Sequence, residues 1–171
     1  MELVPLTERH LGAIRELIAD PTVLRFTRIP EPPDEDFPQR WLARYERGRE
    51  DGTAEAFAIE EDGRFLGLAL APAISEADAE MELGYIVAGW ARGRGVGTEA
   101  LRQLTRWALE ERGAQRIVLI IDVVNGASRT VAERCGYVLE GVMRSTHLKQ
   151  GRRVDAELWS LLPSDRTDVS S

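Results

Sequence analysis

Apolar residues recur along the chain with two periods, and each period predicts one kind of regular element. A spacing of three to four residues predicts helices at residues 7–20, 34–48, 98–112 and 125–134. Alternating or unbroken apolar runs predict strands at residues 2–6, 53–60, 64–71, 80–87, 116–124, 137–148 and 152–162. We expect Asp20-Pro21 to end the first helix and Pro72 to end the third strand, because proline lacks a backbone N–H.

The order of these elements predicts an α/β (α+β) fold built on one mixed, mostly antiparallel sheet. The strand–helix–strand run from residue 80 to 124 supplies the parallel pair, since such a unit makes a right-handed crossover. Turn sequences at residues 61–63 and 149–151 favour antiparallel hairpins. Gly84 lies inside a predicted strand, which indicates a bulge or a close approach by a ligand or another backbone.

We expect one domain over residues 1–162, followed by a polar tail at residues 163–171. The sheet should have about seven strands, flanked by about four helices. Residues 23–36 contain three prolines and cannot form one regular element. This segment is either a flap over a substrate pocket or a plain surface connection.

A glycine-rich segment separates the strand at residues 80–87 from the helix that follows it. Its sequence is Arg92-Gly93-Arg94-Gly95-Val96-Gly97-Thr98. Unshielded N–H groups at a helix N-terminus favour anions, and glycine lets a phosphate approach the backbone closely. A dinucleotide fingerprint would need a glycine where Thr98 stands, and a P-loop would need a lysine that the segment lacks. The segment is therefore predicted to hold a pyrophosphate of another kind.

Composition and charge narrow the class of ligand and partner. The net charge of −7 argues against a general nucleic-acid surface and suits cationic acceptors such as amines. No apolar run has the length of a membrane span, and the N-terminus lacks a signal-peptide pattern. Cys135 is the only cysteine and the two histidines lie far apart, so we expect no metal site. These features together favour a cytoplasmic protein without membrane or nucleic-acid partners.

The motif Arg92-x-x-Gly95-x-Gly97 resembles the acyl-CoA-binding signature Gln/Arg-x-x-Gly-x-Gly/Ala of the GCN5-related N-acetyltransferases (GNAT). Glu82-Leu83-Gly84-Tyr85 and Asn125-x-x-Ser128 stand where that family places corresponding features. The ending at residues 151–162 is similar to that of the RimJ/RimL branch, whose namesakes acetylate the N-termini of ribosomal proteins. The resemblance covers residues 2–162.

This resemblance implies acetyl-CoA as the donor, a primary amine as the acceptor, and a GNAT fold whose central parallel pair is splayed. The strand before the loop would pair with the pantetheine arm, and the amide of Ile86 or Val87 would polarise the thioester. The loop would bind the pyrophosphate. The residues that the resemblance assigns to acetyl-CoA binding are Tyr85, Ile86, Val87, Arg92, Gly93, Arg94, Gly95, Val96, Gly97, Thr98, Asn125 and Ser128.

Two residues are expected to handle protons. Base assistance matters because an amine with a pKa of about 8 to 10 must lose a proton before it attacks. We choose Glu82 as the base, acting through water, with Glu80 on the same face as the second candidate. Many family members supply the acid from a tyrosine where this chain has Ala132. Ser128 is the alternative acid, since the resembling branch uses a serine there; a helix cap would equally explain it.

The acceptor pocket is the part that the motifs leave open. Expected contacts are Phe26, Arg28, Trp41, Glu80 and His147. The acceptor is a protein N-terminus, an amino acid or polyamine, or an aminoglycoside-like molecule. Two hypotheses from other classes stand beside an enzyme: a non-catalytic acetyl-CoA-binding or sensor module, and a binder of another phosphate or nucleotide. The closing hairpin offers an edge for a homodimer, as in the resembling branch.

Overall fold

A seven-stranded sheet lies at the centre of the computed structural model, which describes residues 1–165. Its strands in chain order are β1 (Glu2–Pro5), β2 (Glu55–Glu61), β3 (Arg64–Ser75), β4 (Glu80–Val87), β5 (Arg116–Asp122), β6 (Val138–Lys149) and β7 (Arg152–Leu161). They are arranged in the order β1-β2-β3-β4-β5-β7-β6. Every described pair is antiparallel except β4 and β5, which confirms the predicted mixed sheet.

Five α-helices in the described part of the chain cover both faces of this sheet. They are α1 (Leu11–Ile18), α2 (Pro21–Phe26), α3 (Phe37–Asp51), α4 (Val96–Glu110) and α5 (Gly126–Arg134). Trp107 of α4 contacts Phe57 of β2, while His10 before α1 contacts Glu60 of the same strand. Because strand side chains alternate between faces, α4 and α1 lie on opposite sides of the sheet. Residues 166–171 of the predicted tail lie outside the described residues.

The helix α2 lies where the sequence pattern predicted a loop. Asp20 precedes it, and its carboxylate accepts a hydrogen bond of 2.8 Å from the backbone N–H of Thr22. Pro21 occupies the first helical position, where a missing N–H costs nothing. The pair Asp20-Pro21 therefore begins a new helix as well as following an old one, and the expected irregular segment starts only after Phe26.

The strand β3 runs to Ser75 and does not end at Pro72 as expected. Its pairing with β4 shifts by one residue between Leu70 and Ala73, so Pro72 lies in a β-bulge. A proline is tolerated there because the bulge interrupts the ladder of backbone hydrogen bonds. The bulge predicted near Gly84 is present, but it lies on the neighbouring strand, where Leu70 pairs with Gly84.

The parallel ladder between β4 and β5 is short. It joins Glu80 with Arg116, Met81 with Ile117 and Glu82 with Val118. Beyond these pairs β4 remains paired with β3 as far as Val87, while β5 remains paired with β7 as far as Asp122. The two parallel strands therefore separate after Glu82, and this confirms the predicted splay.

Gly67 is a position in the sheet that has no room for a side chain. It pairs with Val87, has a φ of +155°, and a Cβ built on it would lie 2.1 Å from the carbonyl oxygen of Ile86. We predict that Gly67→Ala forces β3 and β4 apart and lowers the free energy of unfolding by about 3 kcal/mol or more. Urea denaturation of the two proteins measures this difference.

Gly12→Ala is the matched control for Gly67→Ala. Gly12 lies in α1, and a Cβ built on it would meet nothing within 4 Å. Alanine should therefore stabilise this helix by roughly 0.5–1 kcal/mol. Equal stabilities for Gly67→Ala and the wild-type protein would contradict the close contact between Gly67 and Ile86.

Candidate active site

The open side of β4 carries backbone groups that point away from β3. Ala88 N donates to Leu66 O, so by strand alternation Ile86 also directs its N–H and C=O towards β3. Tyr85 and Val87 must direct theirs to the other side, where the ladder with β5 has ended. An extended ligand can pair with such groups as an additional strand.

The glycine-rich loop ends in the first turn of α4. Gly93 and Gly95 have φ values of +74° and +80°, a conformation that a side chain disfavours. The helix α4 begins at Val96, two residues before the expected start at Thr98. Its N-cap residue is Gly95, which has no side chain to accept a hydrogen bond from the first turn. The first amides of α4 therefore lack an acceptor from their cap, which suits an anion. Thr98 lies in the first turn with its side chain buried, and it is not the cap.

Arg92 joins the loop to α2. Its Nη2 lies 2.6 Å from Asp20 Oδ2, and its Nε donates to Val87 O at 3.2 Å. Partial burial would raise the pKa of Asp20, but the Thr22 N–H and the Arg92 guanidinium outweigh it and hold that pKa below its usual value. Arg92 therefore binds the carbonyl on the open edge of β4 and a carboxylate at the start of α2.

Arg94 makes a weaker contact than Arg92. Its Nη2 lies 3.1 Å from Glu61 Oε2, and both side chains are about half exposed. Ion pairs in such positions contribute roughly 1 kcal/mol or less. Arg94 can therefore exchange Glu61 for another anion at little cost.

Ser128 is held from two directions at the N-terminus of α5. Asn125 caps this helix, and its Oδ1 accepts a hydrogen bond of 3.1 Å from Ser128 N. The hydroxyl of Tyr85 donates to Ser128 Oγ at 3.3 Å. Burial raises the pKa of Tyr85 to about 12, against a smaller opposing effect of that hydrogen bond. The sequence assigned only a backbone role to Tyr85, and no local motif relates two side chains so distant along the chain.

Glu82 forms an ion pair with Arg28, which follows α2. Arg28 Nη2 lies 3.0 Å from Glu82 Oε1, and the side chain of Glu82 is 19% exposed while that of Arg28 is 54% exposed. The carboxylate of Glu82 is therefore already paired with a cation, and that cation belongs to an exposed side chain. The structure brings together two residues that were predicted separately, one as the base and one as an acceptor contact.

Glu80 belongs to a different ion-pair group. Arg116 donates from Nε to Glu80 at 2.8 Å and from both terminal nitrogens to Glu140 at 2.6 and 2.7 Å. Hydrogen bonds from Arg116 and then Ser160 lower the pKa of Glu140 to about 2. Glu80 and Glu82 line one cleft of about 320 Å³, together with Arg116. Since Glu80 has a guanidinium fixed by a second carboxylate, it is the less available of the two.

The other predicted acceptor contacts lie on different elements. Phe26 is the last residue of α2 and is partly buried beneath Arg25. Trp41 packs edge-on against Tyr45 within α3, with ring centroids 5.4 Å apart. Trp41 therefore packs within α3. Phe26 lies only two residues before Arg28, the residue that is paired with Glu82.

His147 lies on β6, on the hairpin that faces the segment after α2. Burial first, and then the positive charge of Arg28, hold its pKa below the usual value. Its buried Nδ1 has no hydrogen-bond partner among the described residues. Lys149, two residues further along β6, donates to the carbonyl oxygen of Leu24 in α2 and to that of Ile29 after it, which connects the hairpin to both. The sequence predicts only a turn position for Lys149, and the tertiary arrangement reveals this contact.

Three further observations concern residues 1–165. Cys135 is half-buried, its thiol lies 3.5 Å from Thr98 O, and burial raises its pKa, as expected of a packing residue. These residues include no group of three or more metal-ligating side chains arranged around a common point. None of the helices in this range is long and apolar enough to cross a membrane.

Residues 1–138 match the family model described as an acetyltransferase (GNAT) domain. YdaF of Bacillus subtilis (strain 168), whose name places it among ribosomal N-acetyltransferases, is 33% identical over 101 residues. That alignment covers 59% of this chain and 55% of YdaF. The chain thus spans only about half the length of this relative.

Two solved structures have the same architecture. RimL, named as a ribosomal L7/L12 α-N-protein acetyltransferase and bound to coenzyme A, superposes with a TM-score of 0.87 and 20% identity. That superposition covers 94% of this chain and 92% of RimL. A spermidine N-acetyltransferase from Vibrio cholerae, bound to CoA and spermine, gives a TM-score of 0.86 at 21% identity and covers 97% of both chains. At these identities the likeness concerns the fold.

Proposed function

The chain belongs to the GNAT acetyltransferase family, and from this premise we propose that it transfers the acetyl group of acetyl-CoA to a primary amine. The observation that carries the proposal is the open edge of β4 immediately before the glycine-rich start of α4. A pantetheine arm has amides that can pair with a strand edge, and its pyrophosphate suits a helix N-terminus. The two features lie in the order that one extended acyl-CoA requires.

The residues that would hold acetyl-CoA fit this assignment with one refinement. Tyr85 and Val87 face the open side, whereas the amide of Ile86 faces β3. We therefore assign the polarisation of the thioester carbonyl to the N–H of Val87. Arg92 already donates to the carbonyl oxygen of Val87, so a ligand that pairs there must share this acceptor with Arg92 or displace it. The exposed guanidinium of Arg94 is the better placed of the two for a phosphate.

When bound, acetyl-CoA supplies a thioester whose carbonyl carbon can bond to an amine nitrogen while the carbon–sulfur bond breaks. Glu82 accepts the proton that the acceptor ammonium must lose, directly or through water. The Arg28 guanidinium beside it supports this role, because an incoming ammonium can take the place of that exposed cation. Ser128 donates its hydroxyl hydrogen bond to the departing sulfur. A thiol with a pKa near 8.5 needs only modest help of this kind.

The proposed acceptor is a cationic amine. The net charge of −7 and the carboxylates of the cleft, Glu80 and Glu82, favour such a molecule. The names of the similar proteins add support for a protein N-terminus or a polyamine. An amino acid or an aminoglycoside-like acceptor remains within the proposal. We also propose a cytoplasmic protein and a homodimer along β6, where Val138 and Val142 are exposed.

Thiol release from acetyl-CoA tests the proposed function directly. The panel holds peptides with free N-termini, spermidine, amino acids and aminoglycosides, and each peptide has its N-acetylated form as the matched control. We expect turnover with at least one free amine and none with the blocked peptides. Binding of CoA without turnover on any amine would indicate a non-catalytic acetyl-CoA-binding module. Stronger thermal stabilisation by ATP or NAD than by acetyl-CoA would indicate another nucleotide ligand.

Substitution of the two cleft carboxylates tests the choice of base. We predict that Glu82→Gln lowers kcat/KM by about 10²-fold or more, since general-base catalysis supplies at least that factor. Its residual rate should rise with pH up to the pKa of the amine itself, because only the neutral amine attacks. Glu80→Gln removes the same charge from the same strand face and should cost much less. A wild-type rate and pH profile in Glu82→Gln would rule Glu82 out.

A further inference from the structure

Tyr85 reaches the candidate site with its side chain as well as its backbone. Its hydroxyl donates to Ser128 Oγ at 3.3 Å, although the two residues are 43 positions apart. From this geometry we propose that Tyr85 is a positioning residue, which orients the Ser128 hydroxyl so that its proton points to the departing sulfur. This inference rests on the proposed function, in which Ser128 donates a hydrogen bond to that sulfur.

The reason lies in how many hydrogen bonds a serine hydroxyl can make. It has one proton to donate and two lone pairs that accept, and it turns freely about its Cβ–Oγ bond. At a helix start a serine hydroxyl can donate its hydrogen bond to a nearby backbone carbonyl. When Tyr85 donates to Ser128 Oγ, one lone pair of this oxygen must face the Tyr85 hydroxyl. The Ser128 proton must then point away from Tyr85. Asn125 fixes the Ser128 main chain through the helix cap, so the backbone and the hydroxyl are both constrained.

The ring of Tyr85 is itself held in place. It packs against the first turn of α4, where a Cβ built on Gly97 would lie 2.8 Å from a ring carbon. Gly97 is thus a glycine because the ring of Tyr85 needs the space, a reason separate from phosphate binding. One side chain therefore connects the helix start that would face the pyrophosphate with the helix start that carries Ser128.

Tyr85 keeps its proton while it performs this role. Its pKa of about 12 lies well above that of a thiol, roughly 8.5. A serine hydroxyl holds its proton more tightly still. Ser128 therefore stabilises the departing thiolate through a hydrogen bond. Glu82 takes the proton that the ammonium loses before attack, and the nitrogen passes its second proton to water after the carbon–nitrogen bond has formed. The thiolate takes a proton back from water, so one of the two protons ends on sulfur and the other is released.

The variant that tests the proposal is Tyr85→Phe, which keeps the ring on Gly97 and removes only the hydroxyl. The 3.3 Å contact is longer than a strong O–H···O bond, so we expect a modest effect. We predict a two- to tenfold fall in kcat, about the value of one hydrogen bond, with KM for acetyl-CoA and Kd for CoA unchanged. In a Ser128→Ala background, Tyr85→Phe should cause no further loss.

Tyr137→Phe is the matched control. Tyr137 is also buried, and its hydroxyl shares a 2.7 Å hydrogen bond with Thr105 Oγ1 and not with Ser128. Both variants lose one largely buried tyrosine hydroxyl. The melting temperature of Tyr137→Phe should therefore show how much stability such a loss costs in general. We expect kcat of Tyr137→Phe to equal that of the wild-type protein.

Three results would overturn the proposal, and they differ from failure of the proposed function. A wild-type kcat in Tyr85→Phe, while Ser128→Ala is impaired, would show that the hydroxyl orients nothing. An equal loss with and without Ser128 would show that Tyr85 acts independently of it. A raised KM with an unchanged kcat would show a role in binding alone. Absence of turnover in the wild-type protein would instead reject the enzyme itself, and an unimpaired Ser128→Ala would reject the role of Ser128.

Discussion

The parallel ladder between β4 and β5 ends at Glu82 and Val118, and the position of the candidate site depends on where it ends. From there to Val87, β4 is bonded to β3 alone, so the N–H and C=O groups of alternate residues face a gap. The bulge in β3 between Leu70 and Ala73 lies beside this point, and a bulge bends a sheet and increases its twist. An unpaired strand edge is a template for another extended chain. In this protein the edge is short, internal and next to the glycine-rich start of α4.

The two faces of β4 lie against different parts of the candidate site. Tyr85 faces α4 and α5, whose N-termini follow the ends of the two parallel strands and therefore come to the same edge of the sheet. Glu82 faces the opposite side, where Arg28 approaches from the segment after α2. An acyl donor on one side and an amine on the other can therefore meet only through the gap. The proposed direct transfer between two bound molecules fits this arrangement.

Most of the fold could be predicted because its signals are local. The alternation of Glu80 and Glu82 with Met81 predicts the strand β4 with the bounds that are observed. The prediction of a pyrophosphate site likewise depends only on the adjacent residues 92–98. The helix α2 has a local signal too, the capping carboxylate of Asp20 before Pro21, but the same pair is also typical of a helix end. The continuation of β3 past proline had none, because a bulge depends on the partner strand.

The contacts inside the candidate site could not be predicted in the same way. Arg92 meets a carboxylate 72 residues away, and Arg28 meets one 54 residues away. Such pairs depend on the path of the chain between them, and a single sequence has no periodicity that encodes it. The sequence therefore indicates which residue types the chemistry needs, whereas the structure determines which of them are paired, exposed or oriented.

Amide hydrogen exchange measured by NMR, with and without saturating CoA, tests the central claim that the open edge of β4 receives the cosubstrate. The N–H of Val87 points into the gap, so it should exchange measurably more slowly when CoA is bound. The N–H of Ile86 is directed towards β3 and should change little. If calorimetry shows CoA bound while the exchange of Val87 and Tyr85 is unaltered, the cosubstrate binds elsewhere and the account is wrong.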